Sequence, residues 1–392
     1  MTNDREVDVS VVIPCLNEAN SIGSCIDKAV AGLKSAEVRG EILVVDNGST
    51  DGSPEIALSH GARVVHESIR GYGSAVRRGF QEARGAFVIK GDADDSYDFT
   101  EIPLFVAKWR EGYEVVMGNR LKGDIKPGAM PFLNRYIGTP VLTGILNLFF
   151  RAGIGDTHCG LRAATKEAFQ RMDLRTTGMD LGPEFVIKAA MTGSRMTEVP
   201  ISFWPDKRGR PPHLRRLPDA WRNLRLMLLF APNWSFMIPG ASLVAFGLAL
   251  VFWLLPGPRQ VGQVVLGLNT MFFGMIFTLL GVQIVYLGLF AKGFSYSERF
   301  NRHQRSLERW LRTVTLERCL LAGLGLLLIG LAGDGWVFWR WASKGFGPLN
   351  ATRHVIFFSL WLFLGVQIIF SSLFLSMLGI SRGTYIGDYD RK

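Results

Sequence analysis

The 392-residue chain carries 44 Lys and Arg against 34 Asp and Glu, a formal net charge of +10, and 48% of its residues are hydrophobic. Its mean hydropathy is positive. A nucleic-acid binder is usually basic and polar, whereas this chain is basic and apolar; the balance points to an anionic membrane surface and away from nucleic acid.

From the N-terminus, MTNDREVDVS is polar and has no apolar signal segment, so the first part of the chain is expected to stay in the cytoplasm. Cys15, Cys25, Cys159 and Cys319 form no CxxC pair. They read as small buried residues of a reducing compartment and not as a zinc site. Over residues 1–212, short apolar β-branched runs at 8–14, 41–46, 63–66, 86–92 and 114–119 alternate with helical stretches. Buried strands joined by crossover helices predict an α/β domain with a mainly parallel sheet, whose ligands bind beyond the carboxyl ends of the strands.

The acidic motifs fall at those strand ends. VVIPCLNE (11–18) closes a strand at Pro14 and brings Glu18 to its edge. VVDNGSTDGS (44–53) ends a strand in Asp46, which suits a base or ribose. KGDADDSYDF (90–99) packs Asp92, Asp94, Asp95 and Asp98 into seven residues. Such crowding calls for a cation, and hard oxygen donors suit Mg²⁺ or Mn²⁺ on a diphosphate. No P-loop is present, and IRGYGSAVRRG (69–79) lacks the third glycine of a dinucleotide fingerprint. Arg120, in MGNRLKG, and Arg135, in FLNRYIGTP, are placed to clamp an anionic acceptor. GDTHCGLRA (155–163) offers Asp156, His158 and Arg162 in a loop bounded by glycines.

Next comes the basic stretch 206–234. Its apolar Leu217, Trp221, Leu224, Leu228 and Leu229 recur at helical spacing, which predicts an amphipathic helix over 213–232 in the headgroup plane. Residues 233–392 hold apolar segments near 234–255, 264–291, 317–340 and 355–380, each long enough to cross a bilayer. Arginines between spans two and three, from Arg299 to Arg312, place that loop and both termini in the cytoplasm. Gly281-Val282-Gln283-Ile284 recurs as Gly365-Val366-Gln367-Ile368, and Val251-Phe252-Trp253 echoes Val337-Phe338-Trp339. This repeat predicts two parallel hairpins, which can pack within one chain or between chains of a homo-oligomer.

The ordered set VVIPCLNE, VVDNGSTDGS, RGYGSAVRRG, GDADD, GNR, DTHCGLR and EVPISF (198–203) resembles the inverting GT-A glycosyltransferases of family two. The branch most similar is that of dolichyl-phosphate mannose and polyprenyl-phosphate glucose synthases. The resemblance implies that Pro14, Glu18 and Asp46 hold the nucleotide, and that Asp92 and Asp94 form a DxD pair with Asp94 the direct metal ligand. It also implies that Arg120, Arg135 and Thr139 grip a lipid phosphate and that Arg208 and Arg210 approach the donor diphosphate. The expected reaction moves a hexose from UDP-glucose or GDP-mannose to a polyprenyl phosphate at the cytoplasmic face of the plasma membrane. Two alternatives remain at this stage: transfer to a hydroxyl, with Asp156 as general base, and a translocase of lipid-linked sugar.

Overall fold

The computed structural model describes residues 7–207, 216–297, 315–348 and 351–380. The chain divides into two compact units, residues 1–230 and 231–392.

In the first unit, strands β1 (Val9–Cys15), β2 (Gly40–Asp46), β3 (Arg63–His66), β4 (Phe87–Lys90), β5 (Val115–Asn119), β6 (Arg162–Thr165) and β7 (Met196–Pro200) form one sheet in the order β3-β2-β1-β4-β6-β5-β7. Every pairing is parallel except those of β6, which is antiparallel to both β4 and β5. The sequence reading places residues 162–163 in a loop; the structure makes them the start of this inserted strand. Its sequence, RAAT, lacks the β-branched run that marks the others.

Alternation along β1 shows the two-layer logic. Val9, Val11 and Ile13 face one core with α1 (Ile22–Ser35), α2 (Ser53–Ser59) and α4 (Ile102–Arg110). Val12 faces the other with α3 (Tyr72–Glu82), α5 (Thr139–Phe150), α6 (Lys166–Met172) and α7 (Leu181–Met191). β1 continues past its last β4 partner, Val12, so the missing N–H of Pro14 is demanded by no strand on that side.

Helix α8 (Arg216–Phe230) was expected to be a separate interfacial element. One face of it packs on the core of the first unit, where Met227 is fully buried in the same cluster as Leu146 of α5 and Val186 of α7. Trp221 and Leu229 stay largely exposed, at 61% and 69%. The compact unit therefore closes at Phe230 and not at 212. Arg208 and Arg210 lie outside the described residues.

The second unit holds α9 (Ile238–Leu254), a short β8–β9 hairpin (Arg259–Val261 and Val264–Leu266), α10 (Leu268–Ser297), α11 (Leu316–Ala342) and α12 (Thr352–Ile380). Four segments, Asn233–Leu254, Leu268–Gly293, Leu316–Ala342 and Thr352–Met377, are long and apolar enough to cross a membrane. The arginines from Arg299 to Arg312 lie outside the described residues. Each hairpin closes on glycine, as small residues let membrane helices approach. A Cβ at Gly281 would meet the Gly240 carbonyl oxygen at 2.6 Å, and one at Gly365 would meet that of Gly323 at 2.7 Å. This pairing matches the Gly-Val-Gln-Ile repeat of α10 and α12. It also sets Gly247 level with Gly330, so the Val-Phe-Trp echo between α9 and α11 is about one turn out of register.

Candidate active site

The carboxyl ends of β1, β2, β4 and β5 carry the residues singled out above, and side-chain bonds over long sequence separations sew their loops together. After β1, Asn17 takes φ 57°, a left-handed conformation that asparagine tolerates. Its Oδ1 accepts from the Thr50 backbone N–H at 2.8 Å, and the Glu18 N–H donates to Ser53 Oγ at 2.9 Å. Glu18 is buried at this seam.

Asp46 is also buried, and its carboxylate organises its own turn. It accepts from the N–H groups of Gly48 and Ser49 at 3.2 and 3.1 Å and lies 3.1 Å from His66 Nδ1. Burial would raise its pKa, but these hydrogen bonds prevail and hold it below the usual carboxylate value.

The DADD segment resolves its own charge crowding in a way the sequence does not show. Asp92 Oδ1 accepts from Lys90 Nζ at 2.7 Å and from the Tyr72 hydroxyl at 2.9 Å. Lys90 is 2% exposed at its side chain and also donates to the Gly160 carbonyl at 3.0 Å. Asp95, at φ 60°, is clasped by Lys28 at 2.8 Å and Lys207 at 2.6 Å. Asp98 caps the turn that follows through Thr100. Asp94 Oδ1 accepts from the Ser96 N–H at 3.1 Å and its hydroxyl at 2.6 Å.

Repulsion among four carboxylates is thus relieved by lysines and turn donors, and crowding alone is no argument for a cation. Among the described residues no group of three or more His, Cys, Asp or Glu side chains could hold a metal by itself. The donor chemistry nonetheless fits Mg²⁺ or Mn²⁺: these ions take one or two carboxylates and draw their other ligands from substrate phosphate and water. Asp94, and Asp92 beside it, are the residues that would supply them.

At the end of β5, Arg120 meets Asp156 in a bidentate pair, Nε to Oδ2 at 2.7 Å and Nη2 to Oδ1 at 2.9 Å. Asp156 is fully buried and Arg120 is 8% exposed. The guanidinium stacks 5.0 Å from the Phe203 ring, which itself packs 5.2 Å from Tyr97 of the acidic loop. Among the described residues, Nη1 of Arg120 makes no hydrogen bond.

The proposed role of Asp156 as general base does not fit this geometry. Burial would raise its pKa, but the charge and hydrogen bonds of Arg120 overcome that and hold the pKa down. Both its oxygens are occupied by Arg120, and Oδ1 also takes the His158 N–H at 3.3 Å. A carboxylate so engaged aims the arginine; it does not accept a substrate proton. Nor is Cys159 a nucleophile, since burial pushes its thiol up to about 12.

The loop 156–160 joins three elements. Thr157 Oγ1 lies 3.0 Å from Thr143 Oγ1 of α5. His158 Nε2 lies 3.1 Å from Asn223 Nδ2 of α8, and its Nδ1 lies 3.1 Å from Thr157 Oγ1. Gly160 abuts Asp92: a Cβ there would fall 2.3 Å from Asp92 Oδ2 and 2.8 Å from Tyr97. Because Lys90 and Tyr72 pin Asp92, it has nowhere to yield. Gly160→Ala is expected to lower kcat/KM for the transfer reaction by at least about tenfold through misplacement of Asp92. Initial rates and donor KM check this; an unchanged rate would mean that the position of Asp92 is not critical.

Burial lowers the pKa of His158 to about 4. The unfolded chain takes up a proton there below about pH 6.5, whereas the folded chain does not until about pH 4. Stability from this group is therefore complete above pH 6.5 and falls as pH drops through the window, by about 3 kcal/mol in all. Unfolding midpoints of the detergent-solubilised protein at pH 7 and 4.5 should differ less in His158→Gln than in the native protein.

Arg135 and Thr139 belong to the segment that leads into and opens α5. Thr139 is buried at the start of α5, one turn from Thr143. Arg135 is half-buried on the π-turn Asn134–Gly138, with its guanidinium 5.4 Å from the Tyr136 ring. Around it an apolar flank is exposed, comprising Phe132, Leu133, Tyr136, Ile137, Val141 and Leu148.

Sequence reasoning missed Tyr72, Lys90, Lys28 and Lys207. Lys90 carried a usable signal: an ionisable residue ending a wholly apolar strand, two places before an acid, needs a buried partner. Lys207 begins the basic stretch that contains Arg208 and Arg210. Its backbone N–H also donates to the Asp94 carbonyl at 3.1 Å, so that stretch starts from the acidic loop.

Both halves of this architecture occur in known proteins. Residues 10–173 match the family model of glycosyl transferase family 2, and residues 289–379 match the C-terminal transmembrane region of glycosyltransferase family 2. The low-salt glycan biosynthesis hexosyltransferase Agl6 of Haloferax volcanii is 36% identical over 96% of this chain and 90% of its own length. The dolichyl-phosphate hexose transferase of the same organism is 34% identical, covering 52% of this chain and 86% of that one. An undecaprenyl-phosphate 4-deoxy-4-formamido-L-arabinose transferase of Salmonella paratyphi A is 28% identical, covering 72% and 86%. A GT-A sheet with acidic loops at its carboxyl edge, a helical membrane unit and relatives matched along nearly their full length agree: the chain is a hexosyltransferase that belongs to glycosyltransferase family 2.

Proposed function

We propose that this enzyme transfers a hexose from a nucleoside diphosphate sugar to a polyprenyl phosphate, by a single displacement that inverts the anomeric carbon. The observation that carries the reading is the Arg120–Asp156 pair. A buried, fully oriented guanidinium at the carboxyl end of β5, whose Nη1 has no partner among the described residues, suits an oxyanion, and the residue aiming it is not disposed to deprotonate a hydroxyl. An acceptor that is already an anion needs no base. With a second pKa of about 6, a lipid phosphate is largely dianionic at neutral pH.

The apolar flank around Arg135 suits a prenyl chain whose phosphate reaches Arg135 and Arg120, with Thr139 nearby. Relatives named for dolichyl-phosphate and undecaprenyl-phosphate transfer support the same acceptor class. On the donor side, Pro14, Glu18 and Asp46 border the nucleotide. Asp94 and Asp92 would hold Mg²⁺ or Mn²⁺, which when bound offsets the charge developing on the departing diphosphate. Arg208 and Arg210, next in sequence after Lys207, supply positive charge for the donor diphosphate. The protein's own contribution is positioning and electrostatics. The basic segment between the second and third spans supports a cytoplasmic catalytic unit at the plasma membrane, and the exposed Trp221 and Leu229 of α8 suit the headgroup layer.

The test is incubation of the purified full chain with polyprenyl phosphate and a panel of UDP- and GDP-hexoses, with Mg²⁺, Mn²⁺ or a chelator. Mass spectrometry is expected to find a glycosyl phosphoprenol with at least one donor in the presence of metal. Donor turnover to free sugar alone, or equal rates with chelator, would contradict the reading.

A further inference from the structure

Within the membrane unit, Gln283 of α10 and Gln367 of α12 open into one cavity of about 350 Å³, lined also by Tyr286, Phe290, Val366 and Phe370. Their depth is the same by three observations. Both residues occupy the second position after the glycine that closes their hairpin, Gly281 and Gly365. The spans Leu268–Gly293 and Thr352–Met377 are both 26 residues long, and each glutamine is the sixteenth residue of its span. Two turns further on, Phe290 and Phe374 meet edge to face with centroids 4.7 Å apart. Four consecutive crossings alternate in direction, so α10 and α12 run the same way.

Among the described residues neither glutamine side chain makes a hydrogen bond. A primary amide offers two donors and an acceptor oxygen, and hydrocarbon satisfies none of them. The two amides are therefore left exposed where their desolvation is least tolerable. An isoprenoid or acyl tail would fill the apolar part of the groove but offers the amides nothing. A lipid phosphate would have to leave the headgroup layer to reach them.

We propose that α10 and α12 form the contact face of a homodimer, in which Gln283 and Gln367 pair with the same two residues of a second copy. The amide group is its own complement, donor to acceptor. Rotation about a two-fold axis along the membrane normal keeps every residue at its depth, so four amides at one level meet as a closed layer. Phe290, Val366 and Phe370 then pack around that layer in place of lipid. The internal repeat explains why both helices contribute: duplication of a hairpin places the same polar residue twice at one level.

The test uses the full chain labelled with donor or acceptor fluorophores, mixed in vesicles at falling protein-to-lipid ratios. The native protein is expected to show energy transfer that declines on dilution as a two-copy equilibrium. The double variant Gln283→Leu, Gln367→Leu should raise the dissociation constant at least tenfold while sugar transfer and the thermal unfolding midpoint are retained. Gln283→Asn with Gln367→Asn, which keeps the amides, should fall between the two. A native protein with no energy transfer at any ratio overturns the proposal, as does a double-leucine variant that dimerises equally well. Energy transfer that needs added polyprenyl phosphate would overturn it too, by assigning the cavity to lipid.

Discussion

Asp94→Asn is expected to reduce kcat/KM for sugar transfer by about 10³-fold, or ~4 kcal/mol of transition-state stabilisation, with little change in stability. The residue lies in a loop, and its bonds to Ser96 close a local turn. Asparagine preserves shape and most hydrogen bonding but removes the anionic oxygen that a hard cation requires. Raising Mn²⁺ should recover part of the rate if the loss lies in metal affinity. The neighbouring residue provides the contrast. Asp95→Asn keeps a side chain that tolerates φ 60°, yet breaks the pairs with Lys28 and Lys207. It should lower the unfolding midpoint more than Asp94→Asn does and lower the rate less. Rates measured across a metal titration, beside thermal melts of both variants, separate the two roles; equal behaviour would mean that the acidic loop acts as one structural unit.

At Arg120, stability and activity are entangled by burial and need a set of variants. Arg120→Ala leaves the fully buried Asp156 carboxylate without its counter-charge, a change that typically destabilises by about 3–5 kcal/mol. Loss of activity in that variant alone would prove nothing. Replacing the pair by apolar residues of similar volume, Arg120→Met with Asp156→Leu, removes the unpaired charge and should restore most of the stability. It should leave transfer at least about 10²-fold down, because the fork that meets the acceptor is gone. Arg120→Lys keeps the charge and loses the planar, bidentate geometry. Its deficit should appear mainly in KM for the lipid phosphate, with donor KM near the native value. A double variant that folds and transfers at the native rate would exclude Arg120 from the acceptor site.

The strands that carry the donor motifs were legible because they are short β-branched runs ending in acids. VVIP, ILVVD and FVIK are strands in the structure, and Glu18, Asp46 and Asp92 fall at or just past their ends. β6 was not legible. RAAT has no β-branched run before its last residue, and its place between β4 and β5 is set by tertiary pairing rather than by local propensity. The same holds for side-chain partners. Asp92 and Lys90 are two residues apart and were within reach of inspection, but Asp95 finds Lys28 and Lys207 across 67 and 112 residues. Asp156 and Arg120 were each singled out for separate tasks, and only the fold shows that they are one unit. Helix α8 illustrates a related limit. Its helical spacing was visible, yet Met227 turns into the protein core while Trp221 and Leu229 stay outside, and periodicity alone does not say which face meets what.

The account turns on an acceptor that is already an anion, and one comparison tests that most directly. Purified protein, one accepted nucleotide sugar and divalent metal are supplied with either a polyprenyl phosphate or the polyprenol of the same chain length, and glycosylated lipid is measured over time. The account predicts product from the phosphate, with a rate that falls below about pH 6 as the dianion is protonated, and none above background from the alcohol. Comparable product from the polyprenol would contradict it, since a hydroxyl needs a general base and Asp156, locked on Arg120, does not supply one.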